Sequence, residues 1–285
     1  MQLIRYLFTF FLCFSNFLSA YCQEWVYKEL FKSWGFGNIE FKSLLSGAEG
    51  FLYLGTTGGL FITDGYNKSL VLLSDSLKAQ SITSLGEYST NELIVGTASG
   101  LLLKISLPDG KIEQIASTGS EIRDILITNE KEIWFATYGK GLYHLKDSLR
   151  IINTGNGLLD DYCYCLESDT SGNIWVGTDR GINIISPNGS VTHSITHEEG
   201  LPDVLITALF LDDTGRMWVG MESAGVCYLD MDPDAKKVVS PFSSWEYGMV
   251  TGILQSSRNI IAATKNKGIL DLQDIIESDS YNKQP

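Results

Sequence analysis

Six times along this chain a large apolar residue leads a short strand pattern, a Gly-Thr-like step follows, and after a tight turn a glycine opens another strand. The copies are Tyr53-Leu-Gly-Thr56, Ile94-Val-Gly-Thr97, Trp134-Phe-Ala-Thr137, Trp175-Val-Gly-Thr178, Trp218-Val-Gly-Met221 and Ile261-Ala-Ala-Thr264. Their small third residues, at 55, 96, 136, 177, 220 and 263, are 41, 40, 41, 43 and 43 positions apart. Strand-type patterning with a period of about 40–45 residues is the length of one propeller blade. The pattern therefore predicts an all-β chain, a β-propeller of six four-stranded blades, with an incomplete seven-bladed ring as the alternative.

The copy between 206 and 239 shows one blade in full. Ile206–Leu211 is an apolar first strand, Asp212–Arg216 supplies turn residues, and Met217–Gly220 is the second strand. Gly225–Leu229 makes a third strand, and Lys236–Val239 opens a more polar fourth. The small residue that ends each second strand faces the crowded inner part of the ring. The large residue two positions earlier shares its face and should fill the space between neighbouring sheets. The fixed repeat position of the tryptophans favours this packing role over a sugar-stacking array. The glycines opening the third strands, at 59, 100, 141, 181, 225 and 268, should take positive φ in their hairpins.

Fourth strands are expected near 68–75, 111–117, 148–154, 190–196 and 236–242. The sixth copy lacks one, because only a polar tail, 277–285, follows Leu272 and its neighbours. Glu24–Phe31 alternates well and belongs to no copy, so it is expected to close the ring by completing the sixth blade.

Residues 1–22 have another character: Arg5 is the one charge, the run from Leu7 to Leu12 is apolar, and Ser19 and Ala20 are small. This order reads as a secretory signal peptide cut after Ala20 or Cys22, leaving 23–285 as a single propeller domain. A lipoprotein anchor at Cys22 fits less well, since bulky Tyr21 precedes it. The expected location is periplasmic or secreted, with no membrane insertion after the signal is removed. The net charge of −13, or −14 without Arg5, opposes binding to nucleic acid or anionic lipid. Of five cysteines, Cys163, Cys165 and Cys227 remain if Cys22 is removed with the signal, and their strand positions read as buried thiols.

Asp169-Thr-Ser-Gly-Asn-Ile-Trp-Val-Gly-Thr-Asp-Arg-Gly-Ile182, preceded by Gly157-Leu-Leu-Asp160, resembles the two-component regulator propeller repeat. Gly200-Leu-Pro-Asp203 followed by Asp213-Thr-Gly-Arg-Met-Trp-Val-Gly220 resembles it nearly as well. The resemblance is clear in the third to fifth copies and faint in the first, second and sixth. It implies a sensor propeller of the kind found in the periplasmic regions of hybrid histidine kinases, many of which respond to oligosaccharides. No kinase, regulator domain or membrane helix accompanies it here. The resemblance therefore implies either a free-standing exported module or a truncated relative.

Loops from strand four to the next strand one, and from strand two to strand three, share the propeller face where ligands usually bind. The first set carries Trp34, Phe36, Asp160, Asp161, Tyr162, Asp203, Trp245 and Tyr247; the second carries Tyr138, Lys140, Asp179, Arg180 and Glu222. Aromatic rings beside carboxylates and an arginine suit sugars, since rings cover pyranose faces while charged groups hydrogen-bond hydroxyls. The leading reading is a non-catalytic ligand-binding sensor module, with oligosaccharides as the leading ligand and a separate membrane sensor or other protein as partner. A propeller hydrolase or lyase on polysaccharide or a small cyclic substrate is the runner-up, and a protein-interaction platform the third.

Propeller lyases of the streptogramin-inactivating type look broadly similar around Trp134-Phe-Ala136, but His144, His193 and His197 form no compact catalytic set along the sequence. Asp160, Asp161 and Glu222 would suit glycoside hydrolysis if the fold brought them together. Asp230-Met-Asp-Pro-Asp234 begins like a calcium loop but lacks the glycine at the sixth position and the acidic twelfth. No cofactor or metal is called for.

Overall fold

The computed structural model describes residues 39–47, 50–63, 80–230, 237–242 and 244–281, with side chains up to 276. The segments expected to be a signal peptide (1–22), a ring-closing strand (24–31) and an outer strand (68–75), together with Trp34 and Phe36, lie outside these residues. Six consecutive antiparallel sheets make up an all-β propeller, one sheet per sequence repeat, as the six-blade reading expected. The chain packs as two compact units, and the first, which runs to Ala98 and includes 103–113, holds the first sheet and most of the second.

Blade one, wholly in that unit, has β1 (Phe41–Ser46), β2 (Leu52–Thr56) and β3 (Gly59–Thr63). Blade two has β4 (Ile82–Ser89), β5 (Glu92–Thr97), β6 (Leu101–Ser106) and β7 (Ile112–Ser117). In the second unit, blade three has β8 (Ile122–Ile127), β9 (Ile133–Thr137), β10 (Leu142–Leu145) and β11 (Leu149–Ile152). Blade four has β12 (Cys163–Ser168), β13 (Ile174–Thr178), β14 (Gly181–Ile185) and β15 (Val191–Ile195). Blade five has β16 (Ile206–Leu211), β17 (Arg216–Met221), β18 (Val226–Asp230) and β19 (Lys237–Val239), and blade six has β20 (Val250–Ser256), β21 (Asn259–Thr264) and β22 (Gly268–Asp271). The four outer strands within the described residues fall where the sequence placed them. After β22 the chain turns into a helix, α1 (Leu272–Tyr281), which the sequence reading did not anticipate. Its buried Leu272 and half-buried Ile275 pack onto blade six.

The repeated phrase has a packing cause. A Cβ on Gly177 would sit 2.8 Å from Ile206 Cγ2, and one on Gly220 would sit 2.7 Å from Val250 Cγ1. Ile206 and Val250 begin the first strands of the next blades, so the glycine is where one blade receives the next. Blade one repeats this, with Gly55 against Ile82 of blade two. The large residues also fill the space between sheets as expected. Trp134 packs with Leu166, Ile174 and Val176 of blade four, Trp175 with Ile206 and Leu209 of blade five, and Trp218 with Val250 and Ala262 of blade six.

Threonine completes the phrase. The hydroxyls of Thr56, Thr137, Thr178 and Thr264 donate to the carbonyls of Gly59, Gly141, Gly181 and Gly268 at 2.8, 2.6, 2.8 and 3.0 Å. All six glycines that open third strands have positive φ, from 75° to 124°. At Gly181 a Cβ would also lie 2.2 Å from the Ile195 carbonyl oxygen. The turns before Trp175 and Trp218 are each held by an aspartate. Asp212 Oδ1 accepts from the N–H groups of Thr214 and Arg216 and from the Thr214 hydroxyl, while Oδ2 accepts from Trp218 Nε1 at 2.7 Å. Asp169 does the same for Trp175. The acid that matches Asp169 is thus Asp212, six residues before its tryptophan, and not the adjacent Asp213. In blade three Thr128 stands at this position, and Trp134 Nε1 is buried without a partner.

Two stability measurements test this account. Gly177→Ala should destabilise by roughly 1–3 kcal/mol in urea unfolding, because the contact is with a packed neighbouring blade. Asp212→Asn should cost about 2 kcal/mol, since an amide cannot satisfy both Trp218 Nε1–H and the turn donors. Burial raises the Asp212 carboxyl, but its hydrogen bonds outweigh this and hold it below the usual range. Its contribution is therefore present above the unfolded pKa and lost as pH falls through the lower folded value.

Candidate functional site

Every first strand carries a bulge at its second residue: the pairing register shifts across Lys42, Thr83, Arg123, Tyr164, Thr207 and Thr251. A bulge re-aims the extra side chain and breaks the strand alternation. Thr83, Thr207 and Thr251 turn their hydroxyls back onto the carbonyls of Gly96, Val250 and Ala263. Blades three and four differ, because their bulges hold Arg123 and Tyr164. The Arg123 guanidinium lies 5.6 Å from the Tyr164 ring centre.

The loops of these two blades are also joined. After strand two, Thr57, Ala98, Tyr138, Glu222 and Lys265 each donate their N–H to the carbonyl of the residue immediately before strand one of their own blade: Glu40, Ser81, Glu121, Leu205 and Met249. Blade four departs from this scheme. Tyr162 forms a bridge with Tyr138 of blade three, and the Asp161 carbonyl accepts from Gly139 and Gly141. The Tyr138 and Tyr162 rings then stand edge to face at 4.8 Å, and Tyr138 lies 6.1 Å from Tyr164. Tyr138 and Tyr162 remain 49% and 40% exposed, high for large rings. Gly139, with φ 89°, lets the Tyr162 ring close over it: a Cβ there would lie 3.2 Å from the ring.

Beside these rings the Tyr164 hydroxyl bonds to the Asp179 carboxylate, and burial followed by that bond pushes the phenol well above its ordinary range. Asp179 Oδ1 is buried and has no partner. Arg180 is 73% exposed and approaches Asp160 at 3.5 Å. The site therefore offers three phenol rings, two guanidinium groups and one unsatisfied carboxylate oxygen at the meeting of blades three and four.

The other expected residues have different positions. Asp160 Oδ1 accepts from Tyr162 N–H, and Asp161 accepts from the N–H and hydroxyl of Thr154, so both carboxylates organise the loop. Asp203 holds the N–H groups of Val204, Leu205 and Ser223. Glu222 is exposed on the blade-five loop. Asp160 and Asp161 sit in separate hydrogen-bond systems, and no contact joins either to Glu222 among the described residues. Trp245 lies on Gly225, whose absent Cβ would be 2.1 Å from the indole; its Nε1 donates to Gly248, and Tyr247 packs on it at 5.1 Å. This pair belongs to the packing between blades five and six. Arg123 and Tyr164 were missed by sequence reasoning; aligning the second residue of each first strand would have exposed them.

The three histidines are equally separate. His144 is buried, stacked on Trp134 at 3.7 Å, and bonded through Nε2 to Glu132 at 2.7 Å. His193 lies on the outer strand β15, and His197 Nδ1 is 2.7 Å from the Leu201 carbonyl oxygen, to which it donates. Cys163, Cys165 and Cys227 are free, buried thiols, and burial pushes Cys227 up to about 12. Among the described residues no cluster of His, Cys, Asp and Glu could hold a metal ion, and no helix is long and apolar enough to cross a membrane. Asp230 pairs with Arg216 at 3.2 Å, and the rest of the calcium-like run lies outside the described residues.

The fold is that of a β-propeller, and two of its repeats carry a recognisable family pattern. Residues 157–180 and 200–223 match the family model described as Two component regulator propeller. In structure the chain is similar to the extracellular domain of the hybrid two component system BT3049 from B. thetaiotaomicron, with a TM-score of 0.68 and 20% identity over 80% of this chain and 32% of that one. It is similar to the extracellular domain of the one component system BT4673 from the same organism, with a TM-score of 0.68 and 19% identity over 82% and 32%. It also resembles virginiamycin B lyase from Staphylococcus aureus, with a TM-score of 0.63 and 13% identity over 81% and 79%. The chain thus spans about a third of the two sensor domains' length, and such identities show the shared fold alone. No curated protein matches the sequence.

Next to Arg123 on β8, Asp124 receives the N–H of Leu166 from blade four at 2.8 Å. Burial, with a smaller push from Glu167, outweighs the hydrogen bonds and raises its carboxyl to about 7. A folded pKa above the unfolded value means full stability below the unfolded pKa and loss of stability as pH rises toward 7. Asp124→Asn should remove that loss. The variant's gain in Tm over the wild type should be larger at about pH 8 than at about pH 5, and an equal difference at both would refute the assignment.

Proposed function

We propose that this chain is an exported, sensor-type propeller that binds an oligosaccharide through the blade-three and blade-four junction and passes its state to a separate membrane sensor or another protein. The exposed Tyr138–Tyr162 pair carries the reading, because a propeller has no packing need for two large rings held edge to face in solvent. Pyranose faces are apolar and stack on phenol rings, while Arg180 donates to hydroxyl oxygens and Asp179 Oδ1 accepts from hydroxyl protons. The extracellular setting of the similar sensor domains and the signal-like N-terminus support export.

The test is a thermal-shift screen of the full chain against neutral oligosaccharides, with product analysis of every hit. A ligand at 100 times its Kd stabilises by roughly 2.7 kcal/mol. Tyr162→Ala should weaken a hit by roughly tenfold or more, equivalent to about 1.4 kcal/mol, with little change in the melting point of the free protein. Turnover of a hit would replace the sensor reading by the hydrolase or lyase one. Binding that survives Tyr162→Ala unchanged would move the site elsewhere.

A further inference from the structure

Away from the junction loops, a cavity of about 630 Å3 lies between the outer strands β11 and β15 of blades three and four. Its lining contains no aspartate or glutamate, although the whole chain carries a charge of −13. On one wall Arg150 is paired directly across the ladder with His144, so the two side chains share a face. That face is the one on which Trp134 packs toward blade four. Arg150 forms no ion pair among the described residues.

The opposite wall supplies donors. Ser194 Oγ accepts from Asn183 Nδ2 at 3.0 Å, which leaves its own O–H to donate. Asn188 Oδ1 accepts from the Ser186 hydroxyl and the Ser190 N–H, which leaves Nδ2 to donate. His193 also borders the cavity, but it pairs with Ile184, which packs toward blade five, so its ring faces the other way.

His144 supplies the acceptor. Burial raises the Glu132 carboxyl, but Lys146 and His144 hold it below its usual range, so it can only accept. His144 Nε2 donates to Glu132 at 2.7 Å, so Nδ1 is the ring nitrogen left over. That Nδ1 is buried without a partner, on a side chain only 5% exposed.

We propose that this cavity is a second ligand site, specific for a small hydroxylated carboxylate of the uronic-acid type. Arg150 takes the carboxylate through its planar fork, Asn188 and Ser194 donate to ligand oxygens, and His144 Nδ1 accepts from a hydroxyl. A dianionic phosphate would need a second cation facing the cavity, and the lining presents Arg150 alone. The site is independent of the Tyr138–Tyr162 junction, and either can exist without the other.

The test is calorimetric titration of the full chain with sodium galacturonate, galactose and galactose 1-phosphate. Galacturonate should bind, more weakly as salt is raised, and galactose and galactose 1-phosphate should bind at least about tenfold more weakly. Arg150 is on the surface, so Arg150→Glu should fold with an unchanged Tm and lose galacturonate binding, while Arg150→Lys loses part of it. Tyr162→Ala should bind galacturonate as the wild type does. The proposal is overturned if galacturonate does not bind, if galactose or the phosphate binds as well, if Arg150→Glu binds normally, or if Tyr162→Ala abolishes binding.

Discussion

Neighbouring blades approach closely where the second strand of one carries a glycine, or in blade three the small Ala136, at the point where the first strand of the next begins. Ile206 against Gly177 and Val250 against Gly220 show this contact, with Cβ-to-neighbour distances that any larger residue would violate. The rest of the architecture follows from it. The large residue two positions earlier then fills the wider space between the sheets, and the threonine one position later fastens the hairpin that leads to the third strand. A tryptophan in that wider space needs a partner for its indole N–H, and Asp169 or Asp212 provides one while also shaping the preceding turn.

Against this uniform background, blades three and four are unusual in three ways. Their first-strand bulges carry Arg123 and Tyr164 where most of the others carry threonine. Their loops are tied to each other through Tyr138 and Tyr162. Their outer strands enclose a polar cavity free of carboxylates. The same pair of blades therefore bears both an aromatic surface and a cationic cavity, at different distances from the strands that begin each blade. In blade three, Thr128 in place of the turn aspartate leaves Trp134 with a histidine stacked on it, and His144 in turn calls for Glu132 and Lys146.

Several of the residues expected to meet a ligand also build the loops that carry them. Asp160, Asp161 and Asp203 look like free carboxylates on a binding face, yet each accepts from backbone N–H groups that would otherwise be unpaired. Trp245 looks like a stacking ring, yet it covers Gly225. Short polar side chains next to strand starts commonly serve the backbone first, because an unpaired N–H there costs more than a surface carboxylate gains from remaining free.

The period, the blade count, the positions of four outer strands, the buried cysteines and the interblade tryptophans were all determined by sequence. Packing between repeated sheets acts on the same position in every copy, so it leaves a periodic record. Tertiary structure decided what has no period: the Tyr138–Tyr162 bridge, the stranded Asp179 oxygen, the pairing of Arg150 with His144, and the helix after β22. The bulges lie between these cases. They recur in all six blades, but a bulge breaks the alternation by which strand residues are read, so Arg123 and Tyr164 became visible only once the register was known.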